Sequence, residues 1–187
     1  MVVFYLNERG IFMQILSPFE LEGNIMRSLG TDWMLITAGT KEKYNMMTAS
    51  WGGMGILWNK SVVFAFVRPQ RYTFEFLEKN DYFSLSFYDK SWARALKFCG
   101  TNSGRDVNKA KVTGLTPAFD EKAPYFEQAN LAVICRKLYT QDMNDESIVC
   151  DELRSYYHGN DFHRIYVGEM TRVLVKDEHE WVVKAAQ

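Results

Sequence analysis

The strand-forming stretches of this chain are joined by too little helix to lie side by side in parallel, and that restriction narrows the fold most. Five segments read as strands. DWMLITAG (Asp32–Gly39) is a short apolar run ending at glycine. SVVFAFV (Ser61–Val67) is β-branched and aromatic, with Pro69 just past its end. YFSLSFYD (Tyr82–Asp89) alternates as a half-buried strand does. LAVICRKLYT (Leu131–Thr140) and RIYVGEMTRVLVKD (Arg164–Asp177) are long, and Gly168 inside the second marks a bulge or a barrel bend. Helical spacing appears only in short pieces. Tyr72–Asn80 sets Phe74 and Leu77, with Phe76 beside them, on one side, and Lys90–Phe98 does so with Trp92, Ala95 and Leu96. Asp145–Tyr157 is acidic early and carries Arg154 late, matching the helix dipole. A parallel βαβ sheet needs crossovers of a dozen or more residues, usually helical, and these spacings do not supply them. The expectation is a mainly β fold, a closed or nearly closed barrel with short helical insertions.

Composition excludes several function classes. The net charge of −1 comes from interspersed acids and bases, with no basic stripe for nucleic acid and no polybasic tract for a membrane surface. No run approaches the roughly 20 apolar residues of a membrane span. The first dozen residues carry Glu8 and Arg9 and do not form a signal peptide. Cys99, Cys135 and Cys150 are far apart and odd in number, which points to a reducing, cytoplasmic setting. Aromatic residues make up 15% of the chain, which serves either a heavily packed core or a site that stacks on a planar ligand.

Three stretches carry chemistry. NMMTASWGGMGILWNK (Asn45–Lys60) combines methionines, tryptophans, glycines and small hydroxyls with a single charge. Its glycines let a ligand approach the main chain, so it suits the edge of a planar heteroaromatic ring; the plainer reading is a strand and turn with methionine as core filler. RPQRYT (Arg68–Thr73) follows a strand and opens a helix, where unpaired N–H groups favour an anion that Arg68 or Arg71 would meet. The plainer reading there is a solvated basic turn. CGTNSGRDVNKAK (Cys99–Lys111) is small, polar and basic but lacks the Gly-Lys-Ser/Thr ending of a P-loop, and GxGxxG occurs nowhere. His158 and His163 are five apart, His179 is remote, and no HExxH occurs, so no metal is expected. Cys99 reads as a small buried residue.

In this order the stretches resemble the flavin reductase-like family, the FMN-binding split barrels that include flavoredoxin. The resemblance rests on NMMTASWG (Asn45–Gly52), VRPQRYTFEFLEKNDYFSLSF (Val67–Phe87), CGTNSGRDVNKAKVTGLTP (Cys99–Pro117) and NDFHRIYVGEM (Asn160–Met170). It spans roughly residues 30 to 175, and the RPxRYT form with the GTxSGRDxxK loop is most similar to the flavoredoxin-type branch. It implies a six-stranded Greek-key barrel over one domain, 1–187, with 1–28 an N-terminal extension packing on the barrel. It also implies non-covalent FMN and a homodimer with the flavin near the subunit interface. Thr48, Ala49, Ser50 and Trp51 match the segment whose backbone borders the isoalloxazine. Arg71 and Thr73 match the turn associated with the FMN phosphate. Ser103, Gly104 and Lys109 match the second polar loop, near the ribityl-phosphate end. His163 matches the histidine that lies toward the nicotinamide side in reductase branches. Those branches often read Gly-Asp-His where this chain reads Asn160-Asp161-Phe162-His163. The implied function is an oxidoreductase passing hydride or electrons from NAD(P)H through FMN to an unknown second acceptor. The alternative is an FMN-binding electron carrier without NAD(P)H activity of its own.

Overall fold

Burial on both faces of the central strands sets the architecture. The computed structural model of the protein describes residues 3–6 and 10–176. The chain runs through β1 (Val3–Leu6), β2 (Phe12–Ile15), a one-turn helix α1 (Ile25–Arg27), β3 (Met34–Gly39), β4 (Tyr44–Ala49), β5 (Gly52–Leu57) and β6 (Lys60–Val67). Then come α2 (Tyr72–Lys79), β7 (Tyr82–Phe87), α3 (Ala93–Thr101), α4 (Lys109–Thr113), the short β8 (Pro117–Ala118) and β9 (Tyr125–Phe126), and the long β10 (Leu131–Asp142) and β11 (Arg164–Lys176). Asp177 and His179 lie outside the described residues.

One sheet follows the order β1-β2-β11-β10-β7-β3-β4, with β6 added to β11 and β5 to β6. β11 serves two partners on one side. Arg164–Glu169 pairs with β6, and Leu174–Lys176 pairs with β2. The sheet rolls, and its seam falls at β4 and β5, which follow each other through Ser50 and Trp51 but do not pair. The mainly β fold expected from the sequence is present, but the sheet has nine strands among the described residues. The count of six leaves out the β1–β2 hairpin and the break at Ser50–Trp51.

The rolled sheet encloses one core, in which Ile36 of β3, Met47 of β4, Val63 and Val67 of β6, Leu85 of β7, Val133 of β10 and Val175 of β11 pack together. A second cluster forms on the opposite face, where Leu35, Met46 and Ile134 meet Leu96 and Cys99 of α3, Ala110 of α4 and the Tyr125–Phe126 strand. β7 is therefore covered on both faces, not half-buried as its alternation predicts. Ser84 and Ser86 are fully buried, and Ser84 donates its hydroxyl to the carbonyl of Pro124. Small hydroxyls mimic a solvent face because they let that segment pack close.

The helix expected over Asp145–Tyr157 is replaced by two 3₁₀ turns, Asp145–Ser147 and Asp151–Tyr156. Ile148 is buried, but Val149 is fully exposed and Leu153 44% exposed, so too little apolar surface is covered to offset the cost of nucleating a short helix. Arg154 instead gathers the turns, bonding Asp145, Asp151 and the carbonyl of Ile148. Gly168 does mark a bend. It pairs with Lys137, next to Leu138, the extra residue of a bulge in β10. A Cβ at Gly168 would lie 2.7 Å from the Phe83 ring and 2.9 Å from Cys135 Cβ.

Candidate functional site

β4 lies at one end of the rolled sheet, so only one of its edges is paired, to β3. Its other edge presents backbone groups that no strand among the described residues satisfies. Two adjoining hollows lie beside it and share Met47 and Arg71. The first, about 170 Å3, is lined by Arg71, Thr73, Ser103, Gly104 and Lys109. The second, about 190 Å3, is lined by Thr48, Ala49, Ser50, Trp51, Arg71 and His163. All ten residues singled out in the sequence thus border one continuous cleft, with Arg71 at the junction.

The polar end is built for negative charge. Arg71 is the N-cap residue of α2, with φ −70° and ψ 130°, and no side chain caps that helix. Its guanidinium is half-buried and makes no hydrogen bond or ion pair among the described residues. Burial, and secondarily the neighbouring Arg68, push its pKa down. An unpaired, partly desolvated cation beside an uncapped helix start is costly without an anion and favourable with one. Lys109, only 4% exposed, donates from Nζ to the carbonyls of Met46 (2.9 Å) and Cys99 (2.8 Å). Burial chiefly, with Arg71 adding to it, lowers its pKa to about 8, so it is charged at neutral pH. Thr73 is fully buried and accepts a hydrogen bond from Asn45 Nδ2 at 2.9 Å. Ser103 caps its own loop, accepting from the N–H of Arg105 at 3.1 Å.

The other end is aromatic. Trp51 stands 5.0 Å from the His163 ring and 5.6 Å from the Tyr156 ring, centroid to centroid. Arg68 is committed here, binding Asp161, the Tyr156 carbonyl at 2.9 Å and His163 Nε2 at 3.4 Å. His163 Nδ1 faces Tyr157 Oη at 3.2 Å. Burial first, and then the Arg68 charge, hold its pKa down at about 4, so the ring is neutral at pH 7. Of the two arginines that the turn offers, only Arg71 is left for an anion.

Thr48 donates its hydroxyl to the Leu96 carbonyl and so ties β4 to α3. Gly100 meets the same residue, since a Cβ there would lie 3.3 Å from Thr48 Cβ. The bond of Asn45 to Thr73 and the commitment of Arg68 to Asp161 escape sequence reasoning, because both depend on partners distant along the chain. The Asn at the head of NMMTASW is the one local sign. Cys99 is buried, as expected, and its thiol is pushed up to about 11 by that burial, so it offers no thiolate nucleophile at neutral pH.

Known proteins share this fold. The structure is similar to flavoredoxin from Methanosarcina acetivorans, with a TM-score of 0.62 and 22% identity over 78% of this chain and 69% of that one. It is also similar to an FMN-binding protein from Thermus thermophilus solved with bound 1-cyclohex-2-enone (TM-score 0.62, 18% identity, 87% of this chain and 82% of that one). Flavoredoxin of Desulfovibrio vulgaris (Miyazaki F) aligns at TM-score 0.61 with 19% identity, covering 83% and 76%. No curated protein sequence matches the chain. At these identities the structures establish the fold, whereas the sequence profile described as "Flavin reductase like domain" matches residues 26–183. The chain therefore belongs to the flavin reductase-like domain family.

Proposed function

We propose that the protein is an FMN-binding oxidoreductase that passes hydride or electrons from NAD(P)H through non-covalent FMN to a second acceptor. The observation that carries this is the continuity of the cleft: an unpaired cation at its polar hollow leads directly to a free strand edge and a tryptophan. That sequence of donors fits a ligand with a phosphate at one end and a planar ring at the other. Arg71 and the start of α2 hold the phosphate, and the buried Lys109 adds positive charge behind it. Ser103 and Gly104 form the opposing loop. The backbone of Thr48–Trp51 borders the ring and offers donors to its polar edge without reorganising. When bound, FMN supplies a centre that accepts a hydride or electrons and passes them on.

A carrier without NAD(P)H activity is the second reading, and His163 favours it. Both ring nitrogens face protein partners, Arg68 and Tyr157, so the histidine has no free nitrogen to offer a nicotinamide. The reading of residues 1–187 as one domain, with 1–28 packed on the barrel, is supported by the pairing of β2 with β11. Cys99, Cys135 and Cys150 are free, in keeping with a reducing, cytoplasmic setting.

The test is the chromophore. Protein purified, denatured and chromatographed should release FMN, or the apoprotein should bind added FMN more tightly than riboflavin. Absence of binding up to high micromolar concentration removes the proposal. Anaerobic NADH or NADPH then separates the readings: bleaching of the flavin absorbance supports the reductase, and an unchanged spectrum with both supports the carrier.

A further inference from the structure

The aromatic end of the cleft is closed by a segment that the core does not hold. Residues 143–162 join β10 to β11 without an α-helix or a strand, and loops beyond about 12–15 residues of that kind usually serve a function. The N–H of Met143 donates to the His163 carbonyl at 2.9 Å and closes the base, where Tyr157 Oη also meets His163. Within the segment only Ile148 is buried, and none of its residues belongs to either core cluster. Beyond the base, its described hydrogen bonds to the rest of the fold run to Arg68 and Gln70 alone. The Arg68 guanidinium binds the Asp161 carboxylate and, at 2.9 Å, the Tyr156 carbonyl. Gln70 adds a second bond to Asp161 at 2.9 Å. Gly159 and Asn160, with φ of 68° and 61°, turn the chain just before Asp161. One arginine thus pins the segment at two points, and the Tyr156 ring rests against Trp51.

The parts that pin the segment also wall the cleft. Trp51, Arg68 and His163 line the second hollow, whose volume is about 190 Å3. Small-molecule pockets begin at roughly 300 Å3, so a planar ring seated in this hollow leaves no room for a second planar molecule at its face. A region with few buried apolar contacts opens at low cost, and here opening breaks one ion pair and a few hydrogen bonds. We propose that residues 143–162 form a strap latched by Asp161 on Arg68, and that the latch must release before a second planar reactant reaches the bound ring. The latch stands on the geometry of the strap; the reactant it admits rests on the flavin reading of the cleft.

Two measurements on the full chain test this. Arg154 is the one Lys or Arg in residues 143–162, so trypsin cutting there, read by mass as fragments 1–154 and 155–187, reports release of the strap without any flavin. Asp161→Asn should speed that cut about tenfold, the scale of one charged hydrogen bond, and Asp161→Glu, which keeps the carboxylate, should stay nearer to wild type. The second measurement starts from FMN-loaded protein reduced by light. A bicyclic quinone takes two electrons and two protons from the reduced flavin and leaves as the hydroquinone. In wild type the reoxidation rate should level off as quinone rises, at the rate of strap release, and Asp161→Asn should raise that plateau about tenfold. Dioxygen is small enough to need no release, so its rate should be the same in all variants. Tyr156→Ala, which removes the ring against Trp51, loosens the strap by a second route should Asp161→Asn not fold. Equal trypsin rates in wild type and variants overturn the latch. A plateau that does not move, or one that rises together with the dioxygen rate, overturns the gate, since the latter is what a changed flavin potential would do. Wild-type protein that takes up no FMN removes the flavin reading, and the trypsin rates still decide the latch.

Discussion

Arg71 is the residue on which the proposed phosphate site turns. A charged hydrogen bond contributes about 1.5–3 kcal/mol, and about 1.4 kcal/mol is a factor of ten in affinity. Arg71→Ala is expected to weaken FMN binding by roughly one to two orders of magnitude and to leave riboflavin binding and the barrel intact, as fluorescence titration of both ligands would show. Arg71→Lys should recover only part, because an ammonium does not reproduce the guanidinium fork. Equal weakening of both ligands would place Arg71 outside the phosphate contact. Lys109 gives a pH signature. Its pKa of about 8 leaves it charged at pH 7 and neutral at pH 9, so FMN affinity should fall as pH rises through that window. At pH 9 about a tenth of the protein retains the charge, a loss of up to roughly tenfold. Riboflavin affinity over the same range is the control, and an FMN affinity flat from pH 7 to 9 would show that Lys109 charge is not used. Arg71 and Lys109 stand out in the sequence as basic residues beside hydroxyls. That Lys109 is buried and tied to two carbonyls does not, because its partners Met46 and Cys99 lie in different elements.

At the scale of elements, the bend in β10–β11 shapes the barrel, and Gly168 permits it. Phe83 and Cys135 of the neighbouring strands occupy the space a side chain would need. Gly168→Ala is expected to cost about 1–3 kcal/mol, the usual range for overpacking a core, read as a lowered urea midpoint with an unchanged slope. A midpoint equal to wild type would mean that Phe83 swings aside without strain. This glycine was legible as a bend because glycine within a long strand pattern has few other uses. The Asp145–Tyr157 segment was not legible, since its charge pattern suits a helix but only a packing partner makes a short helix stable. The same distinction applies to β7, whose serines read as a wet face until the segment around Pro124 covers them.

At the scale of the molecule, the expected homodimer has a surface to explain. Phe19 (81% exposed), Met26 (79%), Ile56 (59%) and Trp58 (57%) stand out from the fold. Phe19 and Ile56 border an apolar groove of about 260 Å3 with Leu21, Met54 and Met170. Apolar and aromatic side chains of this kind are enriched in interface cores. Light scattering should give a dimer mass, and Ile56→Lys should shift it toward monomer while far-UV circular dichroism stays unchanged. A wild-type monomer across a wide concentration range refutes the dimer.

What the sequence determined by itself was whatever lies in local pattern. The two-residue period of the strands, the shortage of crossover helix and the order of four motifs led to a β-barrel and to ten residues that come to border one cleft. Tertiary structure alone decided which of those residues are free to act. Arg68 and Arg71 are three apart and alike in sequence, yet Arg68 is bound by Asp161, 93 positions away, and Arg71 is not bound among the described residues. Asn45 finds its hydrogen-bond partner in Thr73, 28 positions on. The physical reason is that hydrophobic periodicity records which face of an element is covered, whereas the hydrogen-bond partners of a buried polar group are set by whatever the folded chain brings beside it.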